Sequence, residues 1–416
     1  MKIAYVMSRF PKLTETFVLY EILEQEQRGT SVEIYPLIRV RQPVMHPEVQ
    51  RLNGRAHFAK TVSTCVLKAN FHFMKRMPRT YFRAVAEALR GTWGSARFFF
   101  GALVFVPKAV YFARDIQQRG IDHIHAHFAT HPALAALVIH RLTGIPFSFT
   151  GHGSDLHIDQ RMLDRKVEAA DFVVTVSRYN REFIVHAAGE QSREKIEVVH
   201  CGVDTEYFAP ADRPKTGDRL EIVCVASFEE VKGHKYLVEA CRLLASRGVE
   251  FRCRLIGDGP LREQVVKQIA ATGIADRFEL LGPRTRPEVR EILWSSHVFV
   301  LPSVPTSRGQ REGIPVALME AMSCGLPVVS SDLSGIPELV ERNVSGVLVP
   351  PGDAQSLCNA IERIASNSDL RERLGSAART KIEAEFDLKR NTAVLSELIE
   401  RSVMAGKPMA ATTAAD

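Results

Sequence analysis

Neither a C-x-x-C pair nor a D-x-D triplet occurs anywhere in the 416 residues. The seven cysteines stand singly, at positions 65, 201, 224, 241, 253, 324 and 358. That usage argues against a disulfide framework and a structural zinc site, and fits a reducing compartment. Cys224 and Cys253 fall inside apolar, strand-like runs and read as small core residues. The missing D-x-D removes an acidic metal motif. Long apolar runs are scarce too: no stretch is expected to approach the length of a bilayer span. The opening MKIAYVMSRF reads as a strand, because its apolar run is short and a polar, charged loop follows at once. A cytoplasmic protein is the expectation.

Acidic residues are thin in one region. Between Arg55 and Arg119 twelve Lys or Arg residues face only Glu87 and Asp115. The same region is rich in aromatics, as in FHFMKRMPRTYFRAV and ARFFFGALVFVPKAVYFAR. It reads either as two core-packing helices with solvated basic faces or as an interfacial patch for anionic lipid. Nucleic acid ranks third, since no recognisable binding motif accompanies the charge.

What is abundant is alternation of strand-like and helix-like segments. A first series of strands is expected at 2–7, 32–37, 122–125, 146–150, 171–176 and 196–200. A second is expected at 220–227, 251–256, 278–281, 297–301, 327–331 and 346–349. Helical stretches separate them, such as GHKYLVEACRLLASRG with Gly248 at its C-terminal stop. This spacing predicts an α/β chain with two doubly wound, Rossmann-like domains covered by helices and separated by a cleft. The first domain is placed at 1–204, a Pro- and Asp-rich linker at 205–219 and the second domain at 220–385. A C-terminal helix follows at 386–402, with a return to the first domain as one option, and a frayed tail at 403–416. Ligands of open parallel sheets bind beyond the carboxyl ends of the strands, so the site belongs in the cleft.

Three segments of the second domain carry chemistry. In REGIPVALMEAMSCGLPV, Glu312 precedes a helix expected from about Pro315 to Cys324, and Glu320 lies along it. Pro315 suits a first turn, where its missing N–H costs nothing, and Gly325 with Pro327 stops the helix. The free N–H groups of a helix N-terminus favour phosphate. Carboxylates on either side suit a ligand with hydroxyls at both ends, and a nucleotide-sugar has that form. A capping glutamate and an exposed one would explain the pair equally well if it stood alone. It is joined by Lys232 and Gly233 in SFEEVKGHKYLVEA, where the lysine can reach a diphosphate and the glycine lets backbone approach. LIGDGP, with Gly257, adds a tight turn at a strand end.

The order K-G-x-x-x-L, then G-D-G-P, then E-G-I-P-x-x-x-x-E-A-M-x-x-G-x-P-V resembles the donor domain of family 4 retaining glycosyltransferases of GT-B fold. The resemblance covers about residues 195 to 385. It implies that Glu312 contacts donor-sugar hydroxyls, Glu320 the ribose and Lys232 the diphosphate, with Gly313 and Ile314 assisting through their backbone. No cofactor or metal is implied beyond the nucleoside-diphosphate sugar itself. One departure stands out: Ser227 occupies the place of the family's usual arginine. Arg308 and Arg311 are candidates to replace that cation.

In the first domain, PFSFTGHGSDLH sets His152 between two glycines at a strand end. The resemblance makes His152 a catalytic group of the cleft, beside Glu312 and Lys232, and draws in Asp155 on the acceptor side. DHIHAHFATH puts His123, His125 and His127 on one strand face. A metal site is weighed there and set behind an acceptor-shaping strand end, with His127 as the acceptor candidate. The loop SRFPKLTETFVLYEI offers Arg9, Lys12, Thr14 and Glu15, and is similar to bacterial exopolysaccharide glycosyltransferases of the colanic-acid type. That similarity implies a glycan acceptor such as a polyprenyl-diphosphate-linked sugar, handled at the inner face of the cell membrane. A nucleotide-sugar epimerase of the same fold and a non-catalytic sugar-binding subunit are the rival readings.

Overall fold

The computed structural model describes residues 1–11, 15–40, 48–211 and 219–406. Its frame is two six-stranded sheets in which every described pairing is parallel. The first contains β1 (Lys2–Phe10), β2 (Ser31–Arg39), β3 (His123–His127), β4 (Phe147–Gly151), β5 (Phe172–Thr175) and β6 (Ile196–Val198), in the order β2-β1-β3-β4-β5-β6. The second contains β7 (Leu220–Val225), β8 (Phe251–Ile256), β9 (Phe278–Gly282), β10 (Val298–Leu301), β11 (Val328–Ser331) and β12 (Val347–Val349), in the order β12-β11-β10-β7-β8-β9. All twelve expected strands are present, with ends shifted by up to three residues. Each sheet reverses its strand order once, between β1 and β3 and between β7 and β10, which opens a crevice at the carboxyl ends.

Most of these strands are buried on both faces by apolar side chains, as parallel sheets require, whereas β3 buries His123, His125 and His127 on one face and the edge strand β9 is largely part-exposed. The helix His234–Ser246 ends as its sequence suggests: Gly248 is left-handed, and the Val249 N–H reaches back to the Leu244 carbonyl. The helix Val316–Ser323 starts one residue later than expected, with Pro315 as its N-cap in an extended conformation. It stops at Gly325, which adopts φ +69°. Helix Leu388–Gly406 lays Leu395, Leu398, Ile399 and Val403 against Ile3, Tyr5, Ile34 and Phe172 of the first sheet.

Two expectations need correction. The basic, aromatic region forms three long helices, Thr64–Arg76, Pro78–Thr92 and Ala96–Arg119, where two were expected. Pro78 divides the first pair, because a residue before proline is driven out of the helical region and Met77 adopts φ −138°, ψ 58°. Helix Ala96–Arg119 is also long and apolar enough to cross a membrane by length and composition, contrary to the expectation of no such stretch. Its Phe98, Ala102, Val106, Ala109, Ala113 and Ile116 belong to the core under the first sheet.

The two halves touch across the crevice. Glu338 of the second half accepts hydrogen bonds from the Arg178 and Tyr179 N–H groups, at 2.8 and 2.9 Å, at the start of helix Arg178–Ala188. Nearby, the backbones at Gly153 and Gly313 are pressed together. A Cβ on Gly313 would lie 2.0 Å from the His152 carbonyl oxygen, and one on Gly153 would lie 2.9 Å from the Gly313 nitrogen.

Candidate active site

The crevice holds a cleft of about 640 Å³ lined from both halves. On the second half, the loops after β7 and β10 meet. Lys232 closes a short turn, Glu230–Lys232, and the next residue, Gly233, adopts φ +69°. Gly233 lies so close to Pro302 that a Cβ would fall 1.8 Å from its carbonyl oxygen. This contact holds Lys232 over the loop after β10, and its Nζ pairs with Glu312 Oε1 at 2.7 Å. Both side chains are mostly buried, so an anionic ligand reaching Lys232 would compete with Glu312 for a desolvated cation. Glu320 lines the same cleft from helix Val316–Ser323. Burial pushes its carboxyl up to about 7, opposed by the Arg286 guanidinium.

Arg286 and Arg284, at the carboxyl end of β9, also line the cleft. Arg286 lies over the rings of Tyr20 and Tyr207, at 4.0 and 3.8 Å, and pairs with Asp204 at 3.3 Å. Neither arginine stood among the expected site residues. The rule that placed Lys232, a cation in a loop beyond a strand's carboxyl end, would have found them. Of the two suggested substitutes for the family's arginine, Arg311 lines the same cleft as Ser227 and Arg308 does not.

On the first half, His152 follows β4 and lines the cleft against the rings of Phe17 and Phe128, at 4.7 and 4.9 Å. Asp155 holds its loop. One carboxylate oxygen accepts the His152 and Gly153 N–H groups at 3.0 and 2.8 Å, and the other accepts the Ala129 N–H at 2.8 Å. Burial raises the Asp155 pKa, and these backbone donors oppose the rise. Asp155 and His127 are both buried and do not line the cleft, which removes them as direct acceptor contacts. Their lone pairs are spent on neighbouring protein groups. Arg9 is exposed on β1, away from the cleft, whereas Glu15 lines it. Lys12 and Thr14 lie outside the described residues. Thus Lys232, Gly257, Glu312, Gly313, Ile314, Glu320, His152 and Glu15 come together, and Gly233 supports them from behind.

Glu21, His125 and His127 bring possible metal-ligand atoms within 4.8 Å of one another. Each atom already has a hydrogen-bond partner. His125 reaches the Ser148 and Thr150 hydroxyls at 2.8 and 3.0 Å, and His127 reaches His152 and Glu21 at 3.1 and 3.2 Å. The cluster fits a hydrogen-bond array better than a coordination shell.

Two Rossmann-like sheets facing a charged cleft, with a lysine–glutamate pair at the crossing, define a GT-B architecture. Residues 208–381 match the family described as "Glycosyl transferases group 1", and residues 69–207 match "Glycosyltransferase Family 4". The chain is 32% identical to the amylovoran biosynthesis glycosyltransferase AmsK of Erwinia amylovora, covering 96% of this chain and 100% of that one. It is 31% identical to the putative colanic acid biosynthesis glycosyltransferase WcaL of Salmonella typhimurium, with the same coverage. Among solved structures, Anabaena Alr3699/HepE in complex with UDP-glucose superposes with a TM-score of 0.72 at 17% identity, covering 96% of this chain and 100% of that one. Sucrose-phosphate synthase from Thermosynechococcus elongatus superposes at 0.73 with 19% identity, covering 98% and 100%. These two show the shared fold. The chain belongs to the family 4 glycosyltransferases and is a glycosyltransferase.

Proposed function

We propose that the protein transfers a sugar, with retention of anomeric configuration, from a nucleoside-diphosphate sugar to a lipid-linked glycan. The setting we propose is exopolysaccharide assembly at the inner face of the cell membrane. The observation that carries the donor reading is the Lys232–Glu312 pair set in the cleft with Glu320. A diphosphate that takes Lys232 from Glu312 gains a desolvated cation and the N–H groups around Gly313 and Ile314, which offset the charge developing on the leaving group. Glu312 then faces the sugar and Glu320 the ribose. Residues 220–385 serve as the donor half and 1–204 as the acceptor half. The names of AmsK and WcaL, and the UDP-glucose bound to HepE, support the same reading.

No metal is proposed, because Lys232 and the backbone donors do its electrostatic work. Activity should survive extensive EDTA treatment; loss restored by a divalent ion would revive the histidine cluster as a ligand set. Nucleic acid is not proposed as a partner.

The membrane part rests on the helices Thr64–Arg76, Pro78–Thr92 and Ala96–Arg119. Lys75, Arg76, Arg79 and Arg83 are exposed, and Phe71, Phe82 and Phe100 show 59%, 56% and 65% of their surface. Cations beside exposed aromatics suit an anionic headgroup layer, and peripheral attachment would place a lipid-linked acceptor beside the cleft.

The direct test offers a panel of nucleoside-diphosphate sugars, measures thermal stabilisation and follows product anomers by NMR with a lipid-linked glycan acceptor. A bound nucleotide-sugar raises the melting temperature by mass action. An inverted anomer would overturn retention, and stabilisation by no nucleotide-sugar would overturn the donor assignment.

A further inference from the structure

Behind His152 runs an unbroken line of polar atoms that the donor grip does not use. His152 Nε2 is 3.1 Å from His127 Nδ1, His127 Nε2 is 3.2 Å from Glu21 Oε1, and the Tyr5 hydroxyl donates to the same oxygen at 2.8 Å. The other ring nitrogen of His152, Nδ1, looks toward the Cys201 thiol at 3.8 Å. Four separate elements supply this line: β1, helix Thr16–Gln27, β3 and the loop after β4. Glu21, His152 and Cys201 also border a small cavity of about 20 Å³, closed by helix Leu388–Gly406 through Leu388, Asn391, Thr392 and Leu395.

We propose that Glu21 and His127 are positioning residues that fix His152 in its Nε2–H tautomer, leaving the Nδ1 lone pair to accept from a substrate hydroxyl. This rests on the glycosyltransferase cleft described above, with His152 in its wall.

The assignment follows from counting donors. Burial raises the Glu21 pKa, and the hydrogen bond from the Tyr5 hydroxyl opposes that rise; in its ionised form Glu21 has only acceptors, so Oε1 takes the Tyr5 O–H and the His127 Nε2–H. A neutral His127 then has a bare Nδ1, which must accept from His152 Nε2–H. A neutral His152 is left with Nδ1 bare, and the Cys201 S–H is the weak donor facing it in the free protein. A sugar hydroxyl is a stronger donor and would displace the thiol. Burial supports the neutral state of both rings: it pushes His127 down to about 3 and His152 well below its ordinary value. His125 does not compete for the carboxylate, because both its nitrogens face the Ser148 and Thr150 hydroxyls. Phe17 and Phe128 pack against His152 and His127 stacks on it, which hinders the turn of the ring that would reverse the polarity.

With this polarity His152 orients a hydroxyl by accepting its hydrogen bond, and cannot itself donate from Nδ1. Misplacing an oriented group can cost on the order of a hundred-fold. His127→Phe should therefore lower kcat by up to about a hundred-fold and leave the KM for nucleotide-sugar nearly unchanged. In a His152→Ala background the same substitution should have no further effect, since the group being positioned is gone.

The test pairs these kinetics with nitrogen-15 NMR of the histidine rings in the full chain. A His152 signal pattern with the proton on Nε2 in wild type, scrambled in His127→Phe and in Glu21→Leu, supports the array. A wild-type His152 protonated on Nδ1 overturns it, even where a variant fails to fold. Full additivity of His127→Phe and His152→Ala also overturns it. An unaltered kcat for His152→Ala would instead remove His152 from the cleft's work, a separate failure from that of the array.

Discussion

On the C-terminal wall of the cleft, Lys232, Glu312 and Glu320 issue from the loops beyond β7 and β10 and the helix that follows. Each is ionisable, lies in a compact motif and reaches the cleft itself. On the N-terminal wall, His152 alone among the expected histidines reaches the cleft. Its support comes from Tyr5, Glu21 and His127, spread over β1, β3 and helix Thr16–Gln27. A charged wall suits a diphosphate and its hydroxyls. An aromatic and imidazole wall, to which Glu15 adds a carboxylate, suits a neutral hydroxyl that must be oriented. On the proposed reading, the difference teaches that the first wall works by charge placed in advance and the second by the direction of its hydrogen bonds.

The sharpest way to break the contrast is to remove a charge from the first wall. Glu312→Ala should lower turnover on the order of a hundred- to a thousand-fold, as loss of one preorganised group typically does, while nucleoside-diphosphate affinity holds or rises, because Lys232 loses its competing carboxylate. Steady-state kinetics and calorimetry on the same preparation check it, and equal losses in kcat and affinity would make the residue a general binding group.

The seam between the walls is probed next by Gly313→Ala. The new methyl would have to displace the His152 carbonyl, which the glycine now approaches to contact. Misplacement of about 1 Å can cost about a hundred-fold, so turnover should fall by that order with the fold intact by circular dichroism. Normal turnover would show that the two backbones need not meet during reaction.

Glu320→Ala should weaken nucleotide binding by about 1–3 kcal/mol, the cost of losing a charged hydrogen-bond acceptor. Its raised pKa adds a sign that can be checked. Ribose hydroxyls favour the carboxylate, so affinity should increase as pH rises from 6 to 8, by at most about tenfold per unit below 7. Glu320→Gln should flatten that part of the profile. The stability effect runs the other way: a carboxyl held above its unfolded value loses stabilising influence as pH rises from about 4.5 through about 7. Thermal melts of the free protein across that window, against the glutamine variant, separate the two.

The smallest expected effect on chemistry lies outside both walls. Reversing Lys75, Arg76, Arg79 and Arg83 to Glu should abolish sedimentation with anionic vesicles, at about 1 kcal/mol per cation. Transfer to a soluble acceptor analogue should be nearly unchanged. Wild-type protein that stays in the supernatant at low salt would end the membrane reading.

The amino-acid sequence by itself determined the strands, the order of elements and the donor motif. Apolar runs separated by helical periods show each strand locally, and in a parallel sheet every strand's carboxyl end faces the same edge. The loops holding Lys232 and Glu312 could therefore be assigned to one rim without knowing any contact. Gly233 and Gly313 were legible as glycines beside ligands, but only the fold shows that Pro302 and the His152 carbonyl occupy the space a side chain would need. Position along β3 gave His127 a place on a face, and nothing local said that helix Thr16–Gln27 would cover that face and bring Glu21 to its nitrogen. Arg286 likewise gained its aromatic cradle from Tyr20 and Tyr207, which are distant in the chain. Periodicity and turn chemistry act between near neighbours and can be read along a line. Burial, hydrogen-bond polarity and shifted acidity arise from groups that meet only when helices close over the sheets, and these the tertiary structure alone decided.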